Sequence, residues 1–376
     1  MKEKIIHIVD LDVPYPANYG AAIDMYFRIK NLHALGIKII LHCFEYGRGK
    51  AACLNEYCEH VHYYPRKSIM EFPFRSEPYI VYSRRNKELF NRLFADDFPV
   101  LLEGVHTCAC LMDDRYKQKP FYVRMHNVES EYYEYLAEAT IHPIKRFYYK
   151  TESKRLKKFE KNLERARALF SVSERDHTTL SIQFPNVEYL PPFIYNDTVD
   201  CKPGRGNYAM YHGNLSVEEN RKAADFLIQE VFPDLGVPLM IVGKNASSLS
   251  KNTKAKNIEF IDSPTATELK DLIQNAQVHV LPTFQPTGIK HKLINSLFEG
   301  RYCVVNPPMV KDNGLAQFCY VAKDAAEMRT IIPELFEKDF PQEEINSRKA
   351  ILQNIYSNSK NAQKLTDVIF GKEQAY

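Results

Sequence analysis

Apolar residues along this chain follow two periods that alternate. Residues 4–10 are apolar nearly throughout (Ile5, Ile6, Ile8, Val9), the pattern of a parallel strand covered on both faces. A Pro/Asn/Gly loop over 14–20 follows. Ile23, Phe27, Leu32 and Leu35 then recur at helical spacing as far as Gly36, and 37–44 returns to a strand pattern. This βαβ opening predicts a doubly wound parallel sheet. Further strands are expected at 99–103, 121–126 and 168–173, with one long helical stretch over 129–167.

At 189–193 the chain reads Tyr-Leu-Pro-Pro-Phe and stays polar to Gly206. Adjacent prolines continue neither a helix nor a central strand, so the domain linker is placed there. The pattern then restarts. Strands are expected at 208–212, 238–242, 258–261, 278–281, 302–306 and 318–321. Helices are expected at 218–231, 266–275, 290–299 and 325–336, with a last helix over 345–369. The 376 residues thus divide into an N-terminal domain (1–195), a C-terminal domain (196–344) and a terminal helix (345–376) expected to pack back toward the first domain.

Composition narrows the class. Hydrophobic content of 45% and charged content of 26% belong to an ordinary globular protein. The 50 basic and 47 acidic residues nearly cancel, which gives nucleic-acid binding no support. No signal-like segment opens the chain and no apolar run reaches membrane-span length, so a reducing cytoplasm is expected. The eight cysteines are scattered, as that compartment allows. Cys53, Cys58, His60 and His62 lie close together, but Glu-His-Val-His-Tyr-Tyr alternates as a strand, so free thiols and strand histidines are expected rather than zinc.

In open α/β sheets ligands bind beyond the carboxyl ends of the strands. After strand 278–281 the segment 282–300 carries Thr287, Gly288, Ile289, Lys290, Lys292 and Asn295 from loop into helix. Free N–H groups at a helix start and two lysines suit a phosphate. In the first half, Glu103 and His106 follow strand 99–103, and Arg124, His126, Asn127 and Glu129 follow the next. Gly20, after Asn18 and Tyr19, can allow close backbone approach.

Gly288-Ile-Lys-His-Lys-Leu, with Gly300-x-x-x-Val-Val-Asn beyond it, resembles the donor segment of family 4 (group 1) glycosyltransferases. Tyr211-His-Gly-Asn-Leu-Ser216 with Glu219-Asn220, Ile241-Val-Gly-Lys-Asn245 and Ile258-Glu-Phe-Ile-Asp262 are similar to the other donor-side stretches, and 14–20 and 123–129 fit the acceptor side. The resemblance implies a GT-B fold, with two Rossmann-like domains facing a central cleft. It also implies a hexosyltransferase-type enzyme: retaining transfer from a nucleoside-diphosphate sugar to a glycan or lipid-linked acceptor in surface polysaccharide biosynthesis, with no metal or other cofactor. It assigns donor contacts to Gly20, Gly213, Asn214, Lys244, Ile261 (at the nucleobase), Thr287, Gly288, Ile289, Lys290 and Asn295. Glu103, His106 and His126 take catalytic places, and Arg124, Asn127 and Glu129 acceptor-side places. Thr287 and Asn295 stand where family members carry two glutamates eight positions apart, so Asn295 would hold ribose through neutral hydrogen bonds. An epimerase or phosphorylase on the same architecture, or a catalytically silent GT-B-like binding protein, are the alternative readings.

From Lys145 to Arg167 there are ten basic and three acidic residues around an apolar stripe of Tyr149, Leu156, Phe159, Leu163 and Ala166. Such a helix either packs by its stripe with a solvated outer face, or holds the protein peripherally on the inner face of an anionic membrane.

Overall fold

The computed structural model describes residues 3–72, 77–253, 255–285 and 290–372. The chain divides into two compact units, Met1–Ile194 with Asn358–Tyr376, and Tyr195–Pro286 with Lys290–Ser357.

The first unit is built on a parallel sheet of β1 (Ile5–Asp10), β2 (Lys38–Glu45), β3 (His60–Pro65), β4 (Val100–Glu103), β5 (Phe121–Met125), β6 (Ala168–Ser171) and β7 (Val187–Tyr189). Its strand order is β3-β2-β1-β4-β5-β6-β7. The order reverses direction beside β1, where loops diverge and ligands bind in such sheets. One face packs Val9, Phe44, Leu102 and Val123 against Leu156 and Phe159. The other packs Ile8, Leu41 and Leu101 against Ile29 and Leu32 of α1 (Gly20–Ala34). The second unit has β8 (Ala209–His212), β9 (Leu239–Gly243), β10 (Ile258–Asp262), β11 (Val278–Leu281), β12 (Tyr302–Val305) and β13 (Tyr320–Val321), all parallel, in the order β10-β9-β8-β11-β12-β13.

Two expected helices are divided. The stretch over 129–167 is α2 (Glu129–Ala139) and α3 (Pro143–Glu160), followed by a 3-10 turn Lys161–Arg165. Pro143 stands at the first turn of α3, where its missing N–H is harmless, and its ring disfavours helix in the residue before it. The last helix is likewise two: α6 (Gln342–Ile355) in the second unit and α7 (Asn358–Phe370) in the first. Between α3 and α6 in the numbering lie α4 (Glu218–Phe226) and α5 (His291–Glu299). Buried Arg348 of α6 donates to the carbonyls of Leu297, Gly300 and Arg301. Ala362, Leu365 and Ile369 of α7 join the core beside α1. Asn358 closes the junction, accepting from Ile194 N–H at 3.0 Å and donating to its carbonyl at 2.9 Å. Among the described residues no helix is long and apolar enough to cross a membrane, and the eight cysteines are free.

Candidate active site

In the second unit the loops after β8 and β9 lie backbone against backbone. Gly213 N–H donates to Val242 O (3.0 Å) and Leu215 N–H to Lys244 O (2.9 Å). Gly243 has φ +133°, and a Cβ there would stand 2.1 Å from Gly213 O, so glycine alone fits. Asn214 accepts from Ser216 N–H at 3.0 Å through its side chain and from Asn220 Nδ2 at 2.9 Å through its carbonyl. It thereby shapes the turn into α4. Lys244 is exposed, and Ile261 is half-buried against Met210 and Val242. Asp262, at the end of β10, accepts from Asn245 N–H at 2.9 Å and anchors the β9 loop.

The segment after β11 is tied from both sides. Thr283 N–H donates to Asn306 Oδ1 (2.9 Å), Asn306 Nδ2 donates back to Thr283 O (2.7 Å), and Thr283 Oγ1 donates to Glu219 Oε1 (2.5 Å). Lys290 caps α5 and donates through Nζ to Gln285 O at 2.7 Å. Lys292 reaches Tyr211 OH at 3.1 Å and Asn220 Oδ1 at 2.5 Å. Burial pulls the Lys292 ammonium down to about 8, the Glu219 carboxylate opposing this and Lys290 adding to it. Burial lowers Lys290 as well, again against Glu219. Two half-desolvated ammonium groups beside one carboxylate leave a net positive charge at a strand end and helix start, an environment complementary to an oxyanion. Asn295 lies half-buried on α5, three residues past Lys292. Thr287, Gly288 and Ile289 lie outside the described residues.

In the first unit the strand ends converge on a buried charge network. Arg124 is fully buried: Nε and Nη2 donate to the two oxygens of Asp24 (3.0 and 2.8 Å), and Nη1 and Nη2 to Leu190 O and Pro191 O (2.7 and 3.1 Å). All its donor nitrogens are thus taken up inside the unit. Arg28 donates to Asp24 (2.9 Å) and forms a buried ion pair with Glu103, whose second oxygen meets His126 Nε2 at 2.9 Å. Burial alone would raise Asp24, but the Arg124 and Arg28 guanidiniums hold it below the usual carboxylate range. Asp10 is also fully buried; burial and then the Glu103 charge push it well up.

Asp24, Glu103 and His126 each bring a ligand atom within 4.8 Å of the others. A divalent cation there would have to displace both arginines, since both Asp24 oxygens accept from them and one also from Phe193 N–H. The group is an ion-pair network by its donor set. Cys53, Cys58, His60 and His62 form no such grouping among the described residues.

His106 is half-buried in a 3-10 turn, Val105–Met112, and is lowered well below its usual value by burial and then by the Arg84 charge. Asn127 donates to Glu129 at 3.3 Å. Glu129, buried at the start of α2, is pushed up to about 8 by burial, with the Asn127 hydrogen bond opposing and the Glu160 charge adding. Gly20 opens α1 behind Tyr19, whose hydroxyl donates to Asp12 at 3.2 Å. Glu103, His126 and Arg124 are therefore brought together, while Lys244 stands in the loop after β9 and Ile261 near the end of β10. Sequence reasoning missed Asp24, Arg28 and Asp10 as site-building residues, and marked Tyr211 and Asn220 only as members of a donor-side stretch. The available signal was Asp24 and Arg28 one helical turn apart on the otherwise apolar face of α1.

Residues 206–338, which contain the Lys292 lattice, match the family model of the group 1 glycosyl transferases. Through that stretch the chain resembles the group 1 glycosyltransferases. The chain is 26% identical over 321 residues to an uncharacterized 44.6 kDa protein in the cps region of Klebsiella pneumoniae, covering 78% of this chain and 80% of that one. Among solved structures it is similar to a mutant of S. aureus TarM in complex with fondaparinux, α-GlcNAc-glycerol and UDP, with a TM-score of 0.67 and 11% identity over 98% of this chain and 100% of that one. It is also similar to WaaG, a glycosyltransferase involved in lipopolysaccharide biosynthesis, with a TM-score of 0.62 and 13% identity over 98% and 100% of the two chains. At such identities the likeness shows the fold, and that fold is GT-B, with sheets of seven and six strands.

Proposed function

We propose that this chain is a group 1 glycosyltransferase, a retaining hexosyltransferase that uses a nucleoside-diphosphate sugar and acts in surface polysaccharide biosynthesis. The observation that carries the reading is the Lys292 ammonium, held half-buried by Tyr211 and Asn220 with Lys290 beside it at the start of α5. A leaving diphosphate develops charge as the sugar bond breaks, and preorganised cations and helix N–H groups stabilise it without a metal. In this reading 196–344 is the donor side, with Gly213, Asn214, Lys244, Ile261, Thr287, Gly288, Ile289, Lys290 and Asn295 around the nucleotide sugar. Residues 1–195 form the acceptor side, with Glu103, His106 and His126 near the reacting groups and Asn127 and Glu129 toward the acceptor, while Gly20 contacts the donor. Arg124 serves there as the clamp that holds Asp24. The cps-region relative and the likeness to WaaG support a glycan or lipid-linked acceptor.

A lipid-linked acceptor fits the outer face of α3. Glu152 and Glu160 turn inward, accepting from Tyr79 N–H (2.7 Å) and from Ser130 (3.0 and 2.6 Å). Lys145, Arg146, Lys150, Lys154, Lys157, Lys158 and Lys161 are exposed. Ile141, Ile144 and Phe147 are 94%, 74% and 74% exposed at the same end. Bare apolar side chains among lysines are the composition of a surface that settles on anionic lipid, which supports a peripheral location at the inner membrane face. The test is a panel of nucleotide sugars with and without acceptor extracts. Free nucleoside diphosphate should appear with acceptor, and the product should keep the donor's anomeric configuration. No release from any donor would leave a silent binding protein, and inversion would exclude the mechanism.

A further inference from the structure

Glu103 closes β4 with one oxygen on the Arg28 guanidinium and the other on His126 Nε2. Asp24 pairs with both Arg28 and Arg124 in the same buried network. A carboxylate held by a guanidinium only accepts hydrogen bonds, so the imidazole nitrogen facing it carries the hydrogen. In a neutral imidazole the other nitrogen is then a bare lone pair. That nitrogen, His126 Nδ1, is buried and has no hydrogen-bond partner among the described residues. A buried acceptor left without a donor is destabilising, and a ligand group can recover that loss. Its neighbour His106 also presents a buried Nδ1 without a partner at this sheet end.

We infer that Arg28 and Glu103 are positioning residues that lock His126 as its Nε2–H tautomer, so that Nδ1 accepts a hydrogen bond from a sugar hydroxyl. The inference rests on the proposed function for the ligand's identity and on the buried network for the tautomer. A hydroxyl, unlike a carboxylate or phosphate, can donate to that lone pair, so the position selects a hydroxyl-bearing ligand. The hydroxyl can come from the donor sugar or from the acceptor; the chemistry is shared.

The direct test is imidazole 15N–1H correlation NMR on the ligand-free full chain at neutral pH, with His126 assigned by substitution. The expected pattern is a single tautomer protonated at Nε2. A spectrum protonated at Nδ1, a tautomer mixture or an imidazolium would overturn the proposal. This readout needs no turnover, so it stands even if no sugar donor is found and the proposed function fails. The second test is kinetic. Glu103→Gln should lower kcat/KM roughly 10–100-fold, the range that orienting partners of an imidazole supply. In a His126→Asn background the same change should have little further effect, because Glu103 acts through the ring. Additive losses would mean an independent structural role and overturn the proposal. A raised KM for the nucleotide sugar assigns the hydroxyl to the donor, and a raised KM for the acceptor assigns it there. Should Glu103→Gln fail to fold, the wild-type spectrum decides alone.

Discussion

Replacing Lys292 with methionine keeps most of the side-chain volume and removes the ammonium, which separates stability from ligand binding. The folded protein holds this group at about 8 rather than the usual 10.5. At 1.36 kcal/mol per pH unit, that depression corresponds to a destabilisation of about 3 kcal/mol. The sign follows from linkage. Below pH 8 the group is charged in both states and the destabilisation is complete. Between pH 8 and 10.5 the folded state releases its proton first, so stability recovers as pH rises. Methionine removes the destabilisation but leaves Asn220 Oδ1 without this donor, which costs about 1–3 kcal/mol. Tyr211 still donates to Asn220 O at 3.1 Å, so its hydroxyl stays paired. The net expectation is a gain of about 0–2 kcal/mol, and Tm unchanged or raised by a few degrees at roughly 2–4 °C per kcal/mol. Binding should move the other way. A charge-assisted contact of about 1.5–3 kcal/mol corresponds to roughly 10–150-fold in Kd for a nucleoside diphosphate. Thermal melts from pH 7 to 10, with and without nucleoside diphosphate, read both effects together. A variant that is clearly destabilised yet keeps the full nucleotide-induced shift would refute the reasoning.

Three further outcomes follow from the structure. Gly243→Ala should destabilise the second unit by several kcal/mol, at the upper end of the roughly 1–3 kcal/mol for backbone strain, because the new Cβ meets Gly213 O and the φ is positive; denaturant unfolding checks it. Ile144→Asp with Phe147→Asp should abolish co-sedimentation with anionic vesicles at low salt while leaving the melt within about 0.5 kcal/mol of wild type, since both side chains are exposed. Acid should weaken the first unit. His7, His42 and His62 are lowered by burial, with Asp96 opposing at His7. Their contribution is therefore full above about 6.5 and lost as pH falls, because the unfolded chain binds the protons first. His7 Nδ1 lies 2.9 Å from His42 Nε2, and His42 Nδ1 2.9 Å from Tyr64 OH, so protonation breaks a buried chain flanked by Lys119 and Arg92. Urea midpoints from pH 7.5 to 5 should fall, and His42→Gln should flatten the slope.

Much of the fold was legible because parallel strands write themselves as short apolar runs. Residues 278–281 and the helix after them, the segment of greatest functional interest, were readable to within a residue. The three-residue β7 was not, since three residues carry no period. The break before Pro143 was written in the sequence but overridden by the continuous basic pattern around it. The break at Tyr356–Ser357 depends on Asn358 pairing with Ile194, a partner 164 residues away. The same reason hid the charge network. Arg124 and Asp24 are separated by 100 residues, and Lys292 and Asn220 by 72, so their meeting follows from strand order rather than from local pattern. Sequence could mark Arg124 as polar at a strand end, but not that each of its three guanidinium nitrogens bonds internally.

The central claim is that the second unit binds the diphosphate of a nucleotide sugar through its own cations. Isothermal titration of nucleoside diphosphates into the full chain, in buffer containing a metal chelator, tests it most directly. The account predicts saturable binding that persists with chelator and weakens as pH passes about 8, where Lys292 loses its charge. Binding that requires added divalent metal, or no binding of any nucleoside diphosphate, would contradict it.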